Sequence, residues 1–231
     1  SGRTSDTFIY NMTAAPWWNN WEATRYSNME DMAVEGMNSG MAQTYYPSFT
    51  NYVEGIYVGY KYYETADDDG KIDYDATVQY PFGYGLSYTT FTQEMSNLTV
   101  KDGEITFDVT VTNTGDVAGK DVVEIYYNPP YTNGGIEKAT ANLIDFEKTQ
   151  MLEPGASETI TITFDAEDMA SYDMSGDGCY VLEQGDYAIS VNSDSHTVLD
   201  QQIYTQDETV RYEGDNKRES DQIAATNQFE D

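Results

Sequence analysis

Between residues 105 and 112 the chain alternates without a break. Ile105, Phe107, Val109 and Val111 are apolar, while Thr106, Asp108, Thr110 and Thr112 between them are polar. A period of two fits a half-buried β-strand and excludes a helix. Successive strand side chains point to opposite faces, whereas a helical face recurs every 3.6 residues. Asn113, Thr114, Gly115 and Asp116 then supply turn chemistry.

The same grammar repeats downstream. Val123, Ile125 and Tyr127 resume the alternation until Pro129 and Pro130 stop it. Leu143 to Lys148 reads as a further strand, closed by Glu153, Pro154 and Gly155. Ile160, Ile162 and Phe164 alternate with Thr159, Thr161 and Thr163. Tyr187, Ile189 and Val191 follow the turn at Gln184, Gly185 and Asp186, and Val198 to Tyr204 can form a last strand. About seven short strands separated by turns predict an antiparallel β-sandwich of fibronectin type III or immunoglobulin type over 92–205.

Residues 1–91 read differently. After a short strand-like run to Tyr10 come Trp17, Trp18 and Trp21, then a Met-rich polar stretch to about Pro47. Alternation is poor and helical periodicity short, so this portion has no evident core of its own and is expected to need a partner surface. The three tryptophans admit two readings: packing against the rest of a domain, which we prefer, or a platform whose indole faces stack on sugar. The tail from Gln206 to Asp231 is rich in acidic and amide residues and reads as a linker or flexible end.

Charge narrows the function. The 231 residues carry 41 acidic and 11 basic side chains, a net of −30. Such a surface repels phosphate backbones and anionic lipid, which argues against nucleic-acid and membrane-surface roles. Its simplest service is to keep the surface solvated. It also suits an exported or cell-surface protein, although one unpaired cysteine fits either side of a membrane. No apolar stretch approaches the roughly 20 residues of a membrane helix. The lone Cys179 excludes an intrachain disulfide and reads as a small apolar residue, and one Cys with one His makes a structural zinc site unexpected. No metal and no cofactor are expected. Thr65 to Asp73 has the glycine of a calcium loop but lacks its first and last ligands, so it reads as a solvated acidic turn. His196 lies in turn-like company beside Asp194 and Ser195 and reads as a surface residue.

The densest signal is the run from Tyr80 to Phe91. Pro81 removes a backbone donor, Gly83 and Gly85 open unusual backbone conformations, and Tyr80, Phe82, Tyr84, Leu86, Tyr88 and Phe91 add an apolar load. Such a turn joins two packed bodies. Together with Val53 to Tyr63 upstream, it resembles the junction of family 3 glycoside hydrolases, β-glucosidases among them, where an α/β sandwich domain leads into a fibronectin type III-like domain. Ser1, Gly2 and Arg3 are similar to a stretch late in that α/β domain. Asn113 to Tyr126, Leu143 to Gly155 and Gly185 to Val191 match the family's fibronectin-like domain in order and spacing. The resemblance covers roughly residues 1–205 and implies three parts: 1–91 as the end of the α/β domain, 92–205 as the fibronectin-like domain, and 206–231 as the tail. A sequence that continues past the sandwich is similar to permuted members, whose barrel follows this module.

The resemblance also implies a retaining glycosidase acting on an oligosaccharide or glycoside. One carboxylate attacks the anomeric carbon while a second, roughly 5–5.5 Å away, protonates the leaving oxygen. The family's nucleophilic Asp lies on its barrel and the usual acid/base Glu upstream of the stretch matched by Ser1 to Arg3. Neither motif is found here, so no catalytic residue is assigned. The expected partners are the barrel and the rest of the α/β domain, on a companion chain or in missing sequence. A stand-alone carbohydrate-binding module is the alternative, and a purely structural sandwich a third reading.

Overall fold

The computed structural model describes residues 2–20, 24–50, 52–175 and 178–221. The N-terminal portion is a series of short elements. Strand β1 (Phe8–Ile9) is followed by β2 (Thr24–Arg25), the hairpin β3 (Val34–Asn38) and β4 (Met41–Tyr45), and β5 (Ser48–Phe49). Helices α1 (Tyr60–Asp68) and α2 (Tyr74–Thr77) come next, then β6 (Val78–Tyr80), which returns to pair with β1. The segment expected to be an acidic turn is in fact the last turn of α1 and its cap. Gly70 at φ 66 follows the C-cap Asp69, its N–H bonds to Asp67 and the Lys71 N–H reaches back to Ala66. That left-handed ending closes the helix and turns the chain towards α2.

The remaining strands form the sandwich and a small sheet beside it. They are β7 (Phe91–Lys101), β8 (Glu104–Asn113), β9 (Val122–Asn128), β10 (Asn142–Lys148), β11 (Ser157–Asp165), β12 (Ser171–Asp173), β13 (Cys179–Leu182), β14 (Gly185–Asn192), β15 (Val198–Gln206) and β16 (Val210–Tyr212). One sheet has the order β11-β8-β7 and the facing one β10-β9-β14-β15, all antiparallel. Seven strands in two layers is the sandwich the alternation predicted. Ile105, Phe107, Val109 and Val111 of β8 are fully buried, as are Val123 and Ile125 of β9 and Ile189 and Val191 of β14. Met95 N–H on β7 bonds to Asp200 on β15 at 2.8 Å, joining the two layers along one edge.

The polar partners of this alternation are organised as well. On the outer face of the three-stranded sheet, Thr110 pairs with Thr159 (3.1 Å), Thr106 with Thr163 (3.2 Å) and Thr112 with Ser157 (2.7 Å). Asp108 accepts from Asn97 and Thr161, which holds its carboxyl below the usual range. Directly opposed hydroxyls of this kind are the cross-strand pairs that reinforce a solvated sheet face.

Two expectations need correction. The tail is not a free linker throughout, because Val210–Tyr212 joins β13 and β12 in a third small sheet. Arg218 then lies 3.5 Å over the ring of Tyr180. The polar composition hid this strand, which needs only Val210 and Tyr212 facing inward. The Tyr80 to Phe91 run is also not buried along its whole length. Phe82 and Tyr84 are half-buried and Gly83 buried, but Leu86 is 70 % exposed and Tyr88 fully exposed.

Candidate functional site

The feature that sets this molecule apart from a simple sandwich is the outer face of its four-stranded sheet. On β9, Glu124 is 4 % and Tyr126 2 % exposed although both point away from the core. On β14, Ser190 and Asn192 are buried on the same side. The cover is the N-terminal segment, laid across the sheet by α1, the Phe82 turn and residues 2–4.

Aromatic packing seats the helix. Tyr60, the first residue of α1, stacks on Phe82 at 4.8 Å between ring centroids and meets Tyr126 edge-on at 5.9 Å. Its hydroxyl accepts the Leu143 N–H at 2.9 Å, and burial raises its ionisation above the usual phenol range. Behind it Tyr63, Tyr74 and Val78 form a small second core with Ile9, Tyr62 and Ile72 around it.

Backbone and charge fix the turn. Thr4 N–H donates to Tyr84 O at 2.8 Å, Gly83 N–H to Thr4 O at 2.9 Å, and Ser195 N–H to Phe82 O at 2.9 Å. Arg3 donates to Gly83 O (3.1 Å), Ser193 O (2.5 Å) and Asp121 Oδ1 (2.8 Å), with Glu124 Oε1 4.0 Å away. Burial pushes the Glu124 carboxyl up to about 7 even though Arg3 and the Tyr126 hydroxyl oppose it. Gly83, at φ 81, leaves no room for a β-carbon, which would sit against the Glu124 carboxylate. At Gly85 a β-carbon would come within 2.7 Å of Arg3 Cδ. Both glycines of the run are therefore required by close approach.

A second polar cluster holds α1 and α2. Glu64 is 7 % exposed and accepts from Tyr74 OH (2.7 Å), Ser195 Oγ (2.7 Å) and His196 Nδ1 (2.8 Å). The His196 ring lies 3.7 Å from that of Tyr74, nearly parallel at 7°. His196 is at the surface as expected, but it is tied down, and the hydrogen bond to Glu64 raises its pKa. Ser195 donates to the carboxylate rather than to the imidazole, so no activated serine nucleophile exists in this arrangement. Among the described residues no group of three or more His, Cys, Asp or Glu is placed to hold a metal ion. Nor does any described helix have the length and apolarity to cross a membrane.

The site residues read from sequence divide. Pro81, Phe82, Gly83 and Gly85 lie in the junction, Tyr80 reaches its edge through Tyr84 (5.1 Å), and Phe91 packs on the sandwich core. Leu86 and Tyr88 stay outside. Trp17 is 37 % exposed, Trp18 is half-buried, and Trp21 lies outside the described residues. Sequence reasoning missed Tyr60, Glu64, Glu124 and the role of His196. One signal for the site was present: β9 carries bulky side chains at both parities, Val123 and Ile125 against Tyr126, as a strand buried on both faces does.

The description "Fibronectin type III-like domain" matches residues 121–195. "Beta-glucosidase A" of Butyrivibrio fibrisolvens is 40 % identical over 158 residues, which are 60 % of this chain and 18 % of that protein. A crystal structure of the β-glucosidase of Kluyveromyces marxianus in complex with glucose superposes on 91 % of this chain with TM-score 0.71 and 28 % identity. A crystal structure of the GH3 β-glucosidase of Bifidobacterium adolescentis covers 89 % of it, with TM-score 0.66 and 27 % identity. The chain is similar to the fibronectin type III-like region of GH3-type β-glucosidases. It spans only 22 % and 26 % of those two enzymes, yet the match runs through both the sandwich and the segment that covers it.

Proposed function

We propose that this chain is a non-catalytic portion of a retaining family 3 hydrolase that removes terminal β-linked glucose or a similar sugar. Its task is to brace the fibronectin-like sandwich against the body that carries the chemistry. The observation that carries the reading is the doubly buried strand β9. Its outer face is closed by Tyr60, Phe82 and Arg3, an aromatic and ionic seal where a solvated sheet face would otherwise be.

The N-terminal segment also exposes apolar side chains. Phe8 (52 %), Tyr10 (62 %), Met37 (68 %), Met41 (72 %) and Tyr52 (86 %) all face solvent in the isolated chain. Exposed apolar surface of this extent marks a contact awaiting cover. The chain corresponds to under a third of its relatives, so the remaining domains of the enzyme are the natural cover. Both catalytic carboxylates would come from there.

The test is size and mass analysis of the native preparation beside an assay with an aryl β-glucoside. Elution with a second polypeptide of several hundred residues and activity of that complex, with none from the isolated chain, is the expected result. Hydrolysis by the 231-residue chain alone would sink the reading. Oligosaccharide binding by the chain alone, lost in Trp17→Ala, would instead favour the binding-module alternative.

A further inference from the structure

His196 is the one histidine of the chain, and it stands at the contact between α1 and the sandwich. Its Nδ1 lies 2.8 Å from Glu64 Oε2, and it is the ion-pair partner described for that buried carboxylate. The titratable groups facing it are Glu64 and Asp67 on α1, Tyr74 on α2 and Asp194 on its own loop. Protonated, the imidazole neutralises Glu64 across the interface and places a cation on the Tyr74 ring face. Neutral, it can still donate Nδ1–H to Glu64, but the charge that offsets the buried carboxylate is gone.

We propose that the His196–Glu64 contact makes this junction a proton-operated latch, tightened when the imidazole is charged and slackened when it is neutral. The proposal deepens the bracing role above and rests on it for its biological meaning. Its sign follows from the geometry. A histidine that gains a carboxylate partner on folding contributes stability that is complete below its unfolded value, about 6.5, and is lost as pH rises through the higher folded value. Glu124, at the other end of the same interface, works in the same sense. It faces Arg3, Asp121, Asp194 and Tyr126, and it holds its proton up to about 7 where the unfolded chain releases it near 4.5. Stability from that carboxyl is therefore present below 4.5 and is lost as pH rises towards 7.

A single histidine makes the test clean. The Cε1 proton of His196 is followed by NMR in the intact chain from pH 5 to 9, for the wild type, Glu64→Gln and His196→Gln. Hydrogen exchange of residues 60–74 is measured at pH 6 and pH 8.5 and corrected for the intrinsic rate. The latch predicts an imidazole midpoint above 6.5 that falls in Glu64→Gln. It also predicts a loss of α1 protection of about tenfold or more between the two pH values, which His196→Gln cuts back to the part that Glu124 contributes. If Glu64→Gln does not fold, His196→Gln supplies the comparison, because it keeps Glu64 with its Tyr74 and Ser195 donors. A midpoint at or below 6.5, or wild-type α1 protection equal at both pH values, overturns the proposal. An assembled enzyme indifferent to the brace would remove the bracing role while leaving a correctly titrating latch in place, so the two claims fail separately.

Discussion

The two sheets of the sandwich share a core and differ on their outer faces. Outside the three-stranded sheet, threonine hydroxyls pair across β8 and β11 in water. Outside the four-stranded sheet, Glu124, Tyr126, Ser190 and Asn192 are buried beneath α1 and the Phe82 turn. In this chain one face is left to solvent; the other is covered by the N-terminal segment. The same strand geometry thus serves two purposes, and the difference is set by what the outward residues can bond to.

The largest effect should come from the shared core. Phe107→Ala removes a fully buried ring that meets Phe164 edge-on at 6.2 Å, and should cost about 3–5 kcal/mol in urea unfolding. A loss near zero would mean that the two sheets do not share one core. Next comes Gly83→Ala. Its φ of 81 and the Glu124 carboxylate behind it should cost about 1–3 kcal/mol, read as a lower midpoint at unchanged denaturant slope. Arg3→Ala leaves Asp121 and the buried Glu124 without their cation and should cost a similar or smaller amount, about 1–2 kcal/mol.

The pH dependence sharpens the contrast. Between pH 5 and 7 the wild type should lose stability as the Glu124 site is forced to ionise, and Glu124→Gln should flatten that slope. On the solvated face, Thr110→Ser keeps the hydroxyl of the ladder and should leave the slope unchanged. The smallest effect belongs to the uncovered hairpin. Met37→Ser or Met41→Ser should change the isolated chain by less than about 0.5 kcal/mol, since both are already in water, yet weaken assembly with the remaining domains. Equal effects at Met37 and Phe107 would erase the distinction between core and awaiting surface.

How much of this was legible follows from the same contrast. The solvated sheet announced itself, because Thr106, Thr110, Thr159 and Thr163 alternate with core residues and nothing else competes for them. The junction was legible as a junction, through Pro81, Phe82, Gly83 and Gly85, but its chemistry was not. Arg3 and Ser193 are 190 residues apart, and Glu64 meets His196 across 132. No local period records a contact of that separation. Leu86 and Tyr88 misled in the other direction, since apolar composition alone does not say which side of a turn faces protein. The strand at Val210–Tyr212 was lost among polar neighbours because three residues are too few to show a period.

The central claim is that α1 is braced onto the sandwich as one unit while the β3–β4 hairpin stands outside it. Hydrogen exchange of the 231-residue chain at pH 6, resolved by segment, tests this most directly. The account predicts that residues 60–68 exchange with the slow amides of β9 and that residues 34–45 exchange far faster. Residues 60–68 exchanging as fast as the hairpin, with β9 still protected, would contradict it.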